Sequence, residues 1–258
     1  MKKRKHIYIL LLGLFIISVY SSCQSVHNKN IPENLTIMSY NVRNCLGMDG
    51  VTDYQRVADI ILKVGADVVA LQELDSATER SGRVVVLDEL AELTGMHGIY
   101  GPAISFQGGK YGIGMLNREK PVSSKTIALP GMEEPRAMLI VEFEKYVAIS
   151  THFSLTPEDR MASVKIIDEL VSIYEKPVFL AGDINDTPSS EVLKIMQKKW
   201  IMLSNPELPT YPSDVPHKCI DYIFGLKHEG RAFRVGETAV GDEPLASDHR
   251  PLWVKVEF

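Results

Sequence analysis

Three apolar runs in this sequence end on a polar side chain able to do acid–base or metal chemistry. That recurrence limits the folds open to the chain. Asn41 follows residues 35–40, Glu73 follows residues 67–71, and Gly182-Asp183-Ile184-Asn185 follows residues 177–181. A fourth cluster, Ser247-Asp248-His249-Arg250-Pro251, ends seven residues before the C-terminus. Short apolar runs bounded by turn residues read as buried strands. Polar groups at the ends of several strands of one sheet share a rim, which is where α/β folds build their sites. The pattern therefore predicts one polar site at one sheet edge, of a kind suited to metal-assisted hydrolysis.

The N-terminus reads as a targeting segment. Lys2-Lys3-Arg4-Lys5 is a basic start, residues 7–19 are an uncharged apolar run of 13, and Ser21-Ser22 puts small residues before Cys23. A spanning helix usually needs ~20 apolar residues, so a cleaved signal peptide over residues 1–22 fits better than a membrane span. Cys23 after small residues resembles a bacterial lipoprotein box, with Cys23 the lipidated first residue. Tyr20 departs from the Leu-like residue usual there. Residues 23–34 then read as a polar tether, and 35–258 as a single domain with no linker or repeat dividing it. The expected location is an exported, membrane-anchored lipoprotein, periplasmic or at the cell surface. The formal charge of the full chain is −5, and loss of the four basic residues at positions 2–5 takes it to −9. Proteins that grip long nucleic acid carry basic surfaces, so that partner is disfavoured. Of the other two cysteines, Cys45 and Cys219, the sequence allows either a disulfide or two buried thiols.

Periodicity predicts strands at residues 35–42, 67–74, 112–117, 123–129, 137–143, 146–153, 178–181, 219–224, 231–239 and 252–258. Helices are predicted at residues 54–64, 84–93, 157–174 and 190–198. Gly95 stops the second, and Thr156 caps the third with Pro157 at its first position. Some connections are helical and some are hairpins. The fold class that follows is α/β, with two mixed β-sheets packed face to face and helices outside.

Each polar cluster also has a plain structural reading. Glu73 can be a strand-end carboxylate paired with a surface lysine, or a hard oxygen ligand of the kind Mg²⁺ takes. Asp183 and Asn185, two apart on an extended segment, would face one ligand together, or form an Asx-turn. Gly182 allows close backbone approach to a ligand. His152 can donate to a phosphoryl oxygen or sit satisfied in a core. Asp221 can orient an imidazole such as His249. Asp248-His249 can equally be a polar turn before the last strand.

Taken as an ordered set the plain readings fail together. Met38-Ser39-Tyr40-Asn41-Val42-Arg43, Ala70-Leu71-Gln72-Glu73-Leu74, Ser150-Thr151-His152-Phe153, Leu180-Ala181-Gly182-Asp183-Ile184-Asn185, Ile220-Asp221-Tyr222-Ile223 and Ser247-Asp248-His249-Arg250-Pro251 recur in that order. The chain thereby resembles the endonuclease/exonuclease/phosphatase superfamily, the deoxyribonuclease-I-like fold. The resemblance implies a four-layer α/β sandwich and phosphoester hydrolysis with Mg²⁺ or Mn²⁺. It implies Glu73 as main metal ligand, with Asn41 and Asp248 completing the shell. His249, oriented by Asp221, would contact the scissile phosphate or act as base, and Asp183 would position or deprotonate the attacking water. Asn185 and His152 would hold charge on phosphate oxygens, with Arg136 as a further phosphate contact. Arg160 reads as structural, and Tyr211 and His217 as loop residues.

The motifs leave the substrate open. Acidity and the lipid anchor at Cys23 favour a monomeric phosphodiesterase acting on a phospholipid headgroup, of sphingomyelinase type, or on another small phosphoester. An extracellular nuclease is the alternative. A non-catalytic surface-binding lipoprotein would have lost part of the catalytic set, which is complete here.

Overall fold

The computed structural model of the chain describes residues 33–230 and 232–258. The expected signal segment, Cys23 and the tether through residue 32 lie outside the described residues, as does Arg231. Strands β1 (Asn34–Asn41), β2 (Val68–Ser76), β3 (His97–Phe106) and β4 (Gly109–Asn117) begin one sheet. Strands β5 (Ser123–Leu129), β6 (Arg136–Glu142), β7 (Val147–His152), β8 (Val178–Asp183), β9 (Trp200–Met202) and β10 (Asp221–Leu226) form the second. The chain then returns to the first with β11 (Arg234–Val240) and β12 (Leu252–Glu257). The strand orders are β11-β12-β1-β2-β4-β3 and β5-β6-β7-β8-β10-β9. Only β1–β2 and β7–β8 run parallel; the other pairs are antiparallel, so both sheets are mixed.

Helices α1 (Tyr54–Val64) and α2 (Val86–Thr94) cover the first sheet, and α3 (Pro157–Val171) and α4 (Glu191–Lys199) the second. Alternation along each strand makes the layers. Ile37, Val68, Ala70 and Val254 face Leu139, Ala148, Phe179 and Ile223 between the sheets. Their neighbours Met38, Val69 and Leu71 turn outward onto Ile60, Ile61 and Leu90. Successive side chains on a strand point to opposite faces, so runs buried on both sides read as continuously apolar. This is the expected four-layer sandwich.

Local chemistry sets the helix ends. Asp53 accepts the Arg56 N–H at 2.9 Å to start α1, and Gly65 at φ 69° ends it. Thr156 stands at the N-cap of α3 as expected, but its hydroxyl donates to Glu133 Oε2 at 3.1 Å instead of capping. Strand β3 was not foreshadowed by periodicity, because Gly98, Gly101 and Pro102 interrupt it. It is an edge strand, where a missing proline N–H costs no ladder bond. Strand β1 begins at Asn34, the last residue of the expected tether, and ends at Asn41 where Arg43–Cys45 make a 3-10 turn. Cys45 and Cys219 are buried free thiols, not a disulfide.

Candidate active site

Strand register gathers the polar residues. In the second sheet Ala137 pairs with His152, His152 with Asp183, and Asp183 with Asp221. Arg136 lies one residue before Ala137. Arg136, His152, Asp183 and Asp221 thus stand side by side along one rim. In the first sheet Asn41 pairs with Gln72, placing Glu73 one residue further on. The Ser247 hydroxyl donates to the Asn41 carbonyl at 2.7 Å and ties the loop before β12 to the same edge. The two rims border a cleft of about 540 Å³ lined by Glu73, Arg136, His152, Asp183, Asn185, Asp248 and His249. Beneath it lie Asn41 and Asp221, 0% and 1% exposed.

Asp183 Oδ2 is the centre. Asn41 Nδ2 donates to it at 3.2 Å, with His152 Nε2 at 3.5 Å and His249 Nε2 at 3.7 Å. Its other oxygen accepts the Asn185 N–H at 2.8 Å. Burial, and then the Asp221 charge, push the Asp183 carboxyl above the usual carboxylate range. The His249 Nδ1–H donates to Asp221 Oδ2 at 2.9 Å, and the Thr210 hydroxyl donates to the same oxygen at 2.6 Å. Burial opposes charge on His249, but Asp221, Asp183 and Asp248 together outweigh it and raise its pKa to about 10. His152 goes the other way: burial first, then Arg136 and His249, hold it well below its ordinary value. Arg136 Nη1 lies 3.4 Å from His152 Nδ1, which therefore accepts, leaving the proton on Nε2 toward Asp183. The site holds one charged and one neutral histidine around one basic carboxylate.

Several expectations need correction in detail. Glu73 does not end its strand, because β2 continues to Ser76. It sits in a bulge between Leu71 and Leu74 at φ 60°, which turns its carboxylate out of the ladder and into the cleft. Asn185 is not on an extended segment: its φ is 55°, and Asp183 and Asn185 form the Asx-turn. One Asn185 amide hydrogen goes to the Phe153 carbonyl at 2.8 Å. Gly182 serves a close approach of backbone, not of ligand, since a Cβ there would lie 2.1 Å from the Thr151 carbonyl oxygen of β7. Asn41 turns its amide nitrogen to Glu73 Oε1 at 3.0 Å and its oxygen to the Arg43 N–H at 3.2 Å. Arg160 binds the Ser154 and Leu155 carbonyls and Asp186, fixing the loop beside the cleft. His217 is exposed and lies outside the cleft lining, whereas the Tyr211 ring packs on His249 with centroids 4.8 Å apart.

Sequence reasoning passed over Thr210, Tyr111, Glu133 and Glu134. Thr210 sits in the proline-rich stretch 206–216, which has no periodicity to aim it. Glu134 pairs with Arg136 at 3.1 Å and lines the cleft. The charge cluster Glu133-Glu134-Pro135-Arg136 was its available signal.

Residues 38–249 match the Endonuclease/Exonuclease/phosphatase family as a whole. The chain belongs to that family. Its members are hydrolases acting on phosphoester bonds. The fold is likewise that of solved family structures. An endonuclease/exonuclease/phosphatase from Beutenbergia cavernae aligns at TM-score 0.71 and 22% identity, over 87% of this chain and 72% of that one. One from Bacteroides vulgatus aligns at 0.71 and 19%, over 88% and 99%. A mannosyl-6-phosphatase of Bacteroides thetaiotaomicron aligns at 0.67 and 19%, over 87% and 100%. No curated protein matches the sequence. For this family member the buried Asp183, Asp221 and His249 have the donor types for a divalent cation, with ligand atoms within 4.8 Å of one another. Asp221 Oδ2 already takes bonds from both His249 and Thr210.

Proposed function

We propose that this protein hydrolyses a small phosphoester with a divalent cation, Mg²⁺ or Mn²⁺, at the cleft. The observation that carries the reading is the convergence on Asp183 Oδ2 of Asn41, His152 and His249, beside Arg136 and Glu73. Glu73 and Asp248 fit the cation. Both line the cleft, and among the described residues neither forms an ion pair with a lysine or arginine. Among the described residues Glu73 accepts only from the Asn41 amide. Hard carboxylate oxygens facing open space suit Mg²⁺. Bound there, the cation would neutralise charge on the phosphate oxygens.

The chain's own groups supply the rest. Asp183, made more basic by burial, takes a proton from a water whose oxygen attacks phosphorus, and the leaving-group oxygen departs on the far side. His249 stays charged on Asp221 and donates Nε2–H to a phosphoryl oxygen. Neutral His152 donates Nε2–H, and Arg136 adds its guanidinium. These donors face the charge that builds on the phosphoryl oxygens in the transition state.

We also infer that the protein is a monomer exported with a lipid anchor on Cys23. The nuclease reading finds less support: Glu134, Asp186 and Asp248 line the cleft, and Lys218 and Arg136 are its lysine and arginine.

Hydrolysis of bis-p-nitrophenyl phosphate with Mg²⁺ or Mn²⁺, absent with chelator, is the expected result. Asp183→Asn and His249→Ala should each lose about 10²-fold or more. Glu73→Gln should weaken Mn²⁺ binding by roughly 10-fold or more in calorimetry. Full activity in either of the first two variants, or unchanged Mn²⁺ affinity in the third, sinks the reading.

A further inference from the structure

Tyr111 forms a wall of the cleft that the chemistry above does not use. It lies opposite Asp75 in the β2–β4 register, two residues beyond Glu73, and lines the cleft. Among the described residues its hydroxyl has no hydrogen-bond partner. The ring itself is held from behind. Asp75, 0% exposed, takes Arg80 through both oxygens at 2.7 and 2.9 Å and the Thr78 hydroxyl at 2.9 Å. The Arg80 guanidinium then lies 5.4 Å from the Tyr111 ring and 4.7 Å from Phe106. Asp75 is buried and Arg80 is exposed, and the two-point pair between them fixes the guanidinium against the ring. Burial, and then Glu73, keep the Tyr111 phenol protonated and therefore able to donate.

In-line displacement sends the leaving group to the face opposite the attacking water, and Tyr111 and Glu134 are cleft-lining side chains that the phosphate chemistry above does not use. Glu134 brings a carboxylate already paired with Arg136, so it accepts hydrogen bonds there and repels a further anion. We propose that Tyr111 and Glu134 are specificity-determining residues that select an uncharged, hydroxyl-bearing leaving group, a polyol or sugar. Asp75 and Arg80 act as positioning residues for the Tyr111 ring. This rests on the phosphoesterase reading but is tested apart from it, by binding without turnover.

The test titrates Asp183→Asn protein with Mg²⁺ and four probes in calorimetry: glucose 6-phosphate, phosphocholine, fructose 1,6-bisphosphate and inorganic phosphate. Glucose 6-phosphate should bind about tenfold more tightly than phosphocholine or the bisphosphate. Adding Tyr111→Phe or Glu134→Gln should each cut the ratio of glucose 6-phosphate to inorganic phosphate affinity about three- to tenfold, the worth of one neutral hydrogen bond or a pair. Arg80→Lys should lower the same ratio while inorganic phosphate binding stays measurable. An unchanged ratio in both Tyr111→Phe and Glu134→Gln overturns the assignment, as does tighter binding of phosphocholine or the bisphosphate. Loss of hydrolysis in the wild type would instead defeat the reaction, whatever these affinities show.

Discussion

Glu133 offers a test of how the cleft is held together, because it is tied to the site only through the residues it binds. Its oxygens take the Leu155 N–H at 2.7 Å, the Ser154 hydroxyl at 2.9 Å, the Thr156 hydroxyl at 3.1 Å and Arg136 Nη2 at 3.4 Å. Burial opposes its charge, but the Leu155 N–H, its own N–H and the Ser154 and Thr156 hydroxyls outweigh burial and hold its carboxyl at about 2. In the unfolded chain a glutamate titrates near ~4.3. The folded value is the lower one, so the stability this group contributes is fully present above ~4.3 and drains away as pH falls toward about 2. Between about pH 6 and about pH 3.5 the unfolded chain takes up the proton and folded Glu133 does not. That removes about 1 kcal/mol, with allowance for solvent screening of a partly exposed side chain. Glu133→Gln keeps the shape but turns an NH₂ toward N–H and O–H donors. It should cost about 1–3 kcal/mol at neutral pH. The gap between wild type and variant should then shrink by about 1 kcal/mol at about pH 3.5. Urea denaturation of both proteins at the two pH values, followed by tryptophan fluorescence, measures the gap directly. A gap that stays constant, or widens in acid, refutes the claim that Glu133 is ionised and bonded in the folded protein.

Two further substitutions probe the rim. Asp221→Asn removes the leading attraction on His249, so burial should prevail. The His249 titration in metal-free protein should then move from about 10 to near or below its ordinary value. In the wild type the raised pKa means stability present below ~6.5 and lost as pH rises through about 10, so the variant should lose its stability advantage at neutral pH. An imidazole NMR titration that does not move would show that Asp221 is not what charges His249. Gly182→Ala puts a Cβ 2.1 Å from the Thr151 carbonyl in the neighbouring strand. It should cost about 3 kcal/mol or more by thermal denaturation, and a variant as stable as the wild type would mean that β7 and β8 are not packed this closely.

What the sequence makes legible and what it hides divide along a physical line. Asn41, His152 and Asp183 could be picked out because each sits at the end of a strand-like run, and Asp221 because it begins one. Strand register then does the work of bringing His152, Asp183 and Asp221 level. Glu73 was picked out for the same reason, yet its strand runs on to Ser76, and what aims it is a bulge with a residue at φ 60°. No apolar pattern encodes that irregularity, because Leu71 and Leu74 stay buried on either side of it. Thr210 and Tyr211 lie in a stretch with no period at all, and only the fold lays one on Asp221 and the other on His249. Tyr111 stands one residue before the strand expected at 112–117, with no signal of its own. Its meaning comes from Asp75 and Arg80, which hold it from behind and are more than 30 residues away in sequence. The groups that the proposed reaction uses on the phosphate sit at or beside the ends of apolar runs. Tyr111 and Glu134, proposed to face the remainder of the substrate, are aimed by cross-strand and charge pairs instead. That division explains why the reaction can be read from sequence while the choice of substrate depends on side chains that only the folded structure brings together.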